Sequence, residues 1–217
     1  HMALSPDGSK VAVSASTANV VHVLDVNTGK QVGKFASGNS PHENVYSKDG
    51  SKIYHASIGY VFTPLDPNFL DFTKGTRTVQ VVDTASYQVV KKFNMADKLK
   101  EAGLGNLSPA VRPMAHTPDE KFFYFQLSFL HGFVEYDMVN DKVTRLANLP
   151  NLVPNLRLDE YVNDSAHHGI TMNGAGTKLC VAGTMDDYVA MVDRSNFAYT
   201  LLKDLGKKPY WVTANKA

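Results

Sequence analysis

The chain has 217 residues, 43% of them hydrophobic, and its 22 basic and 21 acidic residues leave a net charge of +1. This supplies enough apolar material for a core in one domain or two. There is no basic stripe to support electrostatic binding of nucleic acid, and no apolar run reaches membrane-spanning length. The single cysteine, Cys180, excludes a disulfide within the chain. We interpret His1 and Met2 as a cloning scar.

A short turn motif recurs along the chain and marks an internal repeat. A second landmark, an apolar strand that ends in Asp, follows the turn by 20 residues in repeats one, three and four and by 36 in repeat two. Three equal offsets indicate a repeat of about 42 residues with one insertion. The turns begin at Ser5, Ser47, Thr117, Asn173 and Asn215, and the strands end at Asp25, Asp83, Asp137 and Asp193.

The first repeat predicts four short strands in chain order. One strand ends at the Ser5 turn, and three follow at Lys10–Ser14, Val20–Asp25 and Gln31–Phe35. Asn27-Thr28-Gly29-Lys30 suits a tight hairpin, because Asn and Gly tolerate a positive φ. We name the strands of a repeat A to D. An all-β unit of this size with four strands is typical of a β-propeller blade.

The segments Ala3–Val13 and Val23–Lys30 resemble the YVTN-type β-propeller repeat. That repeat is shared by surface-layer and periplasmic proteins, and related blades occur in lactonase-like, amine-dehydrogenase and cytochrome d1-type propellers. The resemblance implies a β-propeller fold and favours a periplasmic or extracellular location. It carries over no catalytic motif.

We therefore expect a single all-β propeller domain over residues 3–217, with four complete blades and the first strand of a fifth. Propellers usually close with more blades, so the chain reads as a fragment of a larger one. Open blade edges should pair with the chain's own ends or with a second copy. The expected blades are 3–40, 41–110, 111–166 and 167–208, with the next beginning at 209–217.

Three insertions map to one face of the predicted propeller, called the top, which also holds the B–C loops and the links between blades. They are Ile58–Thr76, the link with a short helix at Met95–Gly103, and the link Ala147–Ala166. Long loops inside a compact domain are often functional. This face is therefore the predicted site of ligand binding.

The first residues of the A strands also reach the top. Counting back five residues from each turn gives His42, Arg112, His168 and Tyr210, and His131 heads a C strand on the same face. We predict that these five residues line a pocket at the mouth of the central channel, and His167, Asp186 and Asp187 lie on the same face.

Two ligands fit such a pocket. His with Arg can hold a carboxylate or phosphate, in which case affinity should fall as pH rises through about 6.5. Several His can instead hold a metal, although the sequence identifies no metal site or cofactor. A third interpretation is structural, with polar side chains bonding backbone groups across the channel.

Other polar and aromatic residues fit a packing role. His22 and His55 lie mid-strand among apolar neighbours, and His116 shares the strand face of Arg112. We expect Cys180 to be a small core residue, and the run Phe122–Phe125 to pack between blades.

The first functional hypothesis is a scaffold or binding module for a small anion, a peptide or a partner protein. The alternative is a lyase-type or hydrolase-type enzyme, with or without a metal, in which His42, His168 or His131 is the general base and Arg112 holds a carboxylate. A third is a cofactor-free propeller subunit of a redox complex. Haem-attachment, P-loop and Gly-x-Ser-x-Gly motifs are absent from the sequence.

Overall fold

The computed structural model describes residues 1–60 and 72–214. In these ranges the strands form four antiparallel sheets of four strands each, and the strands of each sheet are neighbours in chain order. One short helix, α1 (Met95–Glu101), follows the second sheet. Two 3-10 turns, Leu158–Glu160 and Val162–Asp164, lie between the third and fourth sheets.

The strand bounds repeat a common plan of four short strands that follow one another in the chain. The first sheet contains β1 (Met2–Leu4), β2 (Lys10–Ala15), β3 (Val20–Asp25) and β4 (Gln31–Ala36). The second contains β5 (Pro41–Tyr46), β6 (Lys52–Ser57), β7 (Val79–Asp83) and β8 (Val89–Phe93). The third contains β9 (Val111–His116), β10 (Phe122–Leu127), β11 (Gly132–Asp137) and β12 (Lys142–Asn148). The fourth contains β13 (Ile170–Met172), β14 (Lys178–Gly183), β15 (Tyr188–Asp193) and β16 (Tyr199–Leu202).

The described residues divide into two compact units. The first unit comprises residues 1–60, 72–95 and 109–111, and holds the first two sheets. The second comprises residues 96–108 and 112–214, and holds the fourth sheet, α1 except Met95, and the third sheet except Val111. The assignment of residues 3–217 to a single domain stays a prediction.

Each unit has its own core, built from the inward faces of its strands. In β3 the alternate residues Val21 and Val23 are fully buried, as the period of two in a strand requires. They pack with Ala12, Phe35, Tyr46, Ile53 and Val82. The core of the second unit has Tyr124, Phe133, Leu179, Val181, Tyr188 and Val192 among its members.

The repeated turns share one closing device. Ser5 Oγ donates to Asp7 Oδ1 and accepts the backbone N–H of Lys10 at 2.9 Å. Ser47 and Thr117 make the same pair of bonds, and Asn173 accepts the backbone N–H of Lys178. The fourth residue of each turn takes a positive φ, supplied by Gly8, Gly50 and Gly176 but by Glu120 in the third sheet. A non-glycine residue there carries some backbone strain.

The Asp landmarks end equivalent strands. Asp25, Asp83, Asp137 and Asp193 close β3, β7, β11 and β15, and each pairs with the first residue of the preceding strand. Each carboxylate also accepts a backbone N–H of the following turn. The four Asp landmarks therefore occupy equivalent positions in the four sheets, as the repeat predicts.

The predicted linker helix is confirmed as α1, and Gly103 beyond it takes φ +75°. Residues 61–71 of the insertion predicted at 58–76 lie outside the described residues. Residues 209–214, expected to begin a fifth blade, are not assigned to a strand in the described part of the chain.

Candidate functional site

Arg112 is a buried cation on β9, with only 2% of its side chain exposed. Its Nε donates to Ser128 Oγ at 2.8 Å, and its Nη2 lies 3.8 Å from Asp164 Oδ2. Charge-assisted hydrogen bonds between such groups are about 2.7–2.9 Å long. The ion pair with Asp164 is therefore a loose one.

His168, which precedes β13, is fully buried beside this cation. Its ring stacks on Tyr210, with centroids 3.9 Å apart and planes 19° apart, and meets the edge of Trp211 at 4.8 Å. Burial, and then the charge of Arg112, lowers the pKa of His168 to about 3. His168 is thus a neutral imidazole at physiological pH.

The segment with Tyr210 lies close against the start of β13. Thr184 Oγ1 donates to the carbonyl oxygen of Pro209 at 2.8 Å. A Cβ on Gly169, which has φ +89°, would lie 2.6 Å from the Tyr210 carbonyl oxygen. Only glycine allows this approach, which seats the Tyr210 ring on His168.

His42 belongs to the first unit, on β5. The strand has a register irregularity between Pro41 and Glu43, so His42 lies in a bulge. The His42 carbonyl oxygen accepts a hydrogen bond from Ser14 Oγ at 3.0 Å, and its ring lies 3.7 Å from that of His1. Bulges often re-aim a side chain.

A second polar cluster in the second unit joins His131, His167 and Asp186. His131 Nδ1 lies 2.6 Å and His167 Nε2 lies 2.9 Å from the same oxygen, Asp186 Oδ2. The other oxygen, Oδ1, accepts the backbone N–H of Leu152 at 2.7 Å. The three residues are 9%, 0% and 4% exposed. We call this group the His-Asp-His cluster.

Two tyrosines flank the His-Asp-His cluster. The Tyr161 hydroxyl lies 3.0 Å from His131 Nε2. The Tyr188 hydroxyl donates to the Pro150 carbonyl oxygen at 2.8 Å and lies 3.2 Å from His167 Nε2. Within the described residues, His167 Nδ1 is buried without a hydrogen-bond partner.

The charges in the cluster follow from burial and hydrogen bonding. Burial raises the pKa of Asp186, but hydrogen bonds from His131, His167 and the Leu152 N–H outweigh this and bring it to about 2. Burial lowers the pKa of His167 by more than its hydrogen bond to Asp186 raises it. At neutral pH a carboxylate therefore faces a neutral His167.

The five predicted site residues thus fall into three groups. The structure brings Arg112, His168 and Tyr210 together, His131 lies in the His-Asp-His cluster, and His42 is part of the first unit. The sequence had placed His131, His167 and Asp186 on one face without joining them. Their positions in B–C loops and in the link before an A strand were the signal for this cluster.

The remaining histidines have structural partners. His55 is fully buried, with Nε2 2.7 Å from Ser37 Oγ and Nδ1 2.8 Å from the Glu43 carbonyl oxygen. His22 lies 2.6 Å from Gln31 Oε1, and His116 Nδ1 contacts the Thr117 carbonyl oxygen. These contacts fit the packing roles expected from the sequence.

Comparison with known proteins identifies the architecture. Neither a scan against models of protein families nor a search of curated proteins gives a match. Among solved structures, the chain resembles Kuenenia stuttgartiensis hydrazine synthase with a TM-score of 0.63 and 17% identity over 94% of this chain. U3-55K and the WD40 repeats of RRP9 give TM-scores of 0.62 and 0.61, each with 11% identity over 93% of this chain. The fold is a β-propeller.

The four sheets are therefore propeller blades. The chain spans about half the length of the structures it resembles, at 49–50% of each. At this identity the likeness shows the fold alone, and the relation to the YVTN repeat stays a prediction. Among the described residues, no helix is long and apolar enough to cross a membrane.

Proposed function

We propose that the chain is a propeller binding module that holds an acidic group at the cluster of Arg112, His168 and Tyr210. The ligand is a small carboxylate or phosphate compound, or an acidic side chain of a partner protein. The buried guanidinium of Arg112, set beside a neutral imidazole and an aromatic ring, carries this proposal. Propellers with this use need no catalytic groups.

The chemistry of the cluster supports an anion. A guanidinium matches the planar oxygens of a carboxylate or phosphate in bidentate fashion. The Nη2 of Arg112 lies 3.8 Å from the carboxylate oxygen Asp164 Oδ2. The stacked rings of His168 and Tyr210 form an apolar wall that strengthens the electrostatic attraction by excluding water.

The pH dependence expected from the sequence changes with this geometry. A protonated His168 would have made binding weaken as pH rises through about 6.5. The pKa of His168 is lowered to about 3, so its charge does not change near that pH. Because Arg112 stays charged, we expect the affinity of this cluster for a carboxylate such as succinate to be nearly constant between pH 6 and 8.

The experiment is a titration of succinate and inorganic phosphate into the full chain at both pH values. Calorimetry gives the affinity, and the fluorescence of Trp211, the one tryptophan in the sequence, reports on the cluster through its contact with His168. Arg112→Lys keeps the charge but loses the bidentate fork, and Arg112→Gln loses both. Arg157→Gln is the matched control, because Arg157 is 76% exposed and pairs with Asp159.

We expect Arg112→Gln to weaken binding by about 10–100-fold, the value of a charged hydrogen bond, and Arg112→Lys to fall between. Arg157→Gln should bind like the wild type. Absence of saturable binding, or equal affinity in Arg112→Gln and the wild type, would rule the proposal out.

The enzymatic alternative is narrowed by the same observations. A His168 with a pKa near 3 is a poor general base at neutral pH. Of the other proposed bases, His131 has one ring nitrogen held 2.6 Å from Asp186 Oδ2. Pairing of blade edges with a second copy also stays a prediction, which light scattering can test.

A further inference from the structure

We propose that His131, His167 and Asp186 form a binding site for a divalent transition-metal ion, and that Zn²⁺ is the ion this donor set fits best. The site shares no residue with the anion-binding cluster and does not depend on the proposed function. Three elements contribute to it: the head of β11, the link before β13 and the turn between β14 and β15.

The donor types select the class of metal. Two imidazole nitrogens and one carboxylate oxygen are typical of zinc and of other first-row transition metals, whereas Ca²⁺ and Mg²⁺ prefer oxygen ligands alone. One such atom from each of the three residues lies within 4.8 Å of the others. Three protein ligands of this kind are the usual set of a catalytic zinc site.

The distances fit an ion after a small expansion. Asp186 Oδ2 lies 2.6 Å from His131 Nδ1 and 2.9 Å from His167 Nε2. With metal bonds of about 2.0–2.1 Å, tetrahedral ligand atoms lie about 3.3 Å apart. A shift of roughly half an ångström at each ligand, geometrically derived from these bond lengths, would therefore admit the ion.

The surroundings hold two of the three ligands as metal sites do. His131 Nε2 lies 3.0 Å from the Tyr161 hydroxyl, which fixes the ring orientation. Asp186 Oδ1 accepts the Leu152 N–H, which leaves Oδ2 for the ion. Such outer partners orient metal ligands and raise their affinity.

The burial of the carboxylate also favours a cation at this place. Asp186 is 4% exposed, and a buried negative charge is costly unless a cation or hydrogen bonds compensate it.

A fourth coordination position remains for water or a substrate atom. The Tyr188 hydroxyl lies 3.2 Å from His167 Nε2, but its proton is donated to the Pro150 carbonyl oxygen at 2.8 Å. His131 is the most exposed of the three ligands.

The test uses the full chain, stripped with EDTA and then titrated with ZnCl₂ against a chromophoric chelator at neutral pH. Elemental analysis counts the bound zinc, and Co²⁺ in its place gives a visible spectrum that distinguishes four-coordinate from six-coordinate metal. Asp186→Asn and His131→Gln each remove one ligand. Asp187→Asn is the matched control, since it makes the same change at the next residue, where the carboxylate bonds Lys207 instead.

We expect one zinc per chain in the wild type and in Asp187→Asn, and a four-coordinate cobalt spectrum. Zinc affinity should fall at least about 100-fold in both ligand variants, more than for loss of an outer partner. No stoichiometric zinc in the wild type would overturn the proposal and leave the cluster as a hydrogen-bonded hub. Unchanged affinity in either ligand variant would also overturn it, because the zinc would lie elsewhere.

If Asp186→Asn does not fold, the zinc affinity of His131→Gln tests the proposal alone, because this variant changes the most exposed of the three ligands. If neither variant folds, X-ray absorption of the zinc-loaded wild type decides. Two imidazoles in the first coordination shell would support the site, and a shell without them would overturn it.

Discussion

Asp186→Asn should destabilise the metal-free protein by about 2–3 kcal/mol at neutral pH, by two separate arguments. Asn keeps an oxygen for the Leu152 N–H, but its amide cannot accept from both His131 and His167. Loss of a charge-assisted hydrogen bond costs about 1.5–3 kcal/mol. Independently, a pKa lowered from 3.8 to about 2 corresponds to about 2.5 kcal/mol of stability.

The pH dependence of this difference has a definite sign. Because the pKa of Asp186 is lower in the folded protein, its contribution is complete above the unfolded value and is lost as pH falls towards the folded value. By pH 3 roughly 1 kcal/mol should be gone. The difference in the free energy of unfolding between the wild type and Asp186→Asn should therefore become smaller as pH falls from 7 to 3.

The assay is urea unfolding in EDTA, followed by circular dichroism and by tryptophan fluorescence to check that both report one transition. Asp187→Asn is again the control. Its partner Lys207 has an 88% exposed side chain, so the change should cost less than about 1 kcal/mol. The reasoning would be refuted if Asp186→Asn lowered the free energy of unfolding no more than Asp187→Asn does. It would also be refuted if the difference between Asp186→Asn and the wild type stayed the same in acid.

Three further predictions concern stability. Burial lowers the pKa of His55 to about 4, so the free energy of unfolding should fall as pH drops from about 6.5 to 4. In urea unfolding, the free energy of unfolding of His55→Gln should depend less on pH over this range. Gly132→Ala should lower the melting temperature and weaken zinc binding, because Gly132 has φ +147° and a Cβ would overlap the Ala147 carbonyl oxygen. Glu135→Ala should lower the free energy of unfolding, measured in urea, by about 3 kcal/mol, because Glu135 is 3% exposed and ion-paired with Arg145.

Each of these has a contradicting result. For His55→Gln it is an acid sensitivity equal to that of the wild type. For Gly132→Ala it is an unchanged melting temperature, and for Glu135→Ala a cost below about 1 kcal/mol, the value of an exposed ion pair.

The repeat was predictable because it depends on local chemistry. The turn at Ser5 and the strand ending at Asp25 are set by short-range hydrogen bonds and by alternation of apolar residues. The same offsets then located the later blades, and a glycine stop located α1. Glu120 shows the limit of such patterns, since it takes the positive φ that glycine takes in the other three turns.

The site was less predictable because it depends on burial and on side-chain pairing across long separations. Nothing local in the sequence shows that His168 is fully buried, and this burial reverses its expected role as a titrating cation. Asp186 meets His131 across 55 residues and His167 across 19. The loop positions indicated one face, whereas only the structure shows which residues share an atom.

The Ser/Thr-x-Asp turns have an evolutionary consequence. Each is closed by a side chain acting within five residues of itself. A duplicated DNA segment that encodes one repeat would therefore encode every residue that closes the turn of its first hairpin. Copies could then differ in the loops between their later strands, whereas the first hairpin of each copy would still form from its own residues.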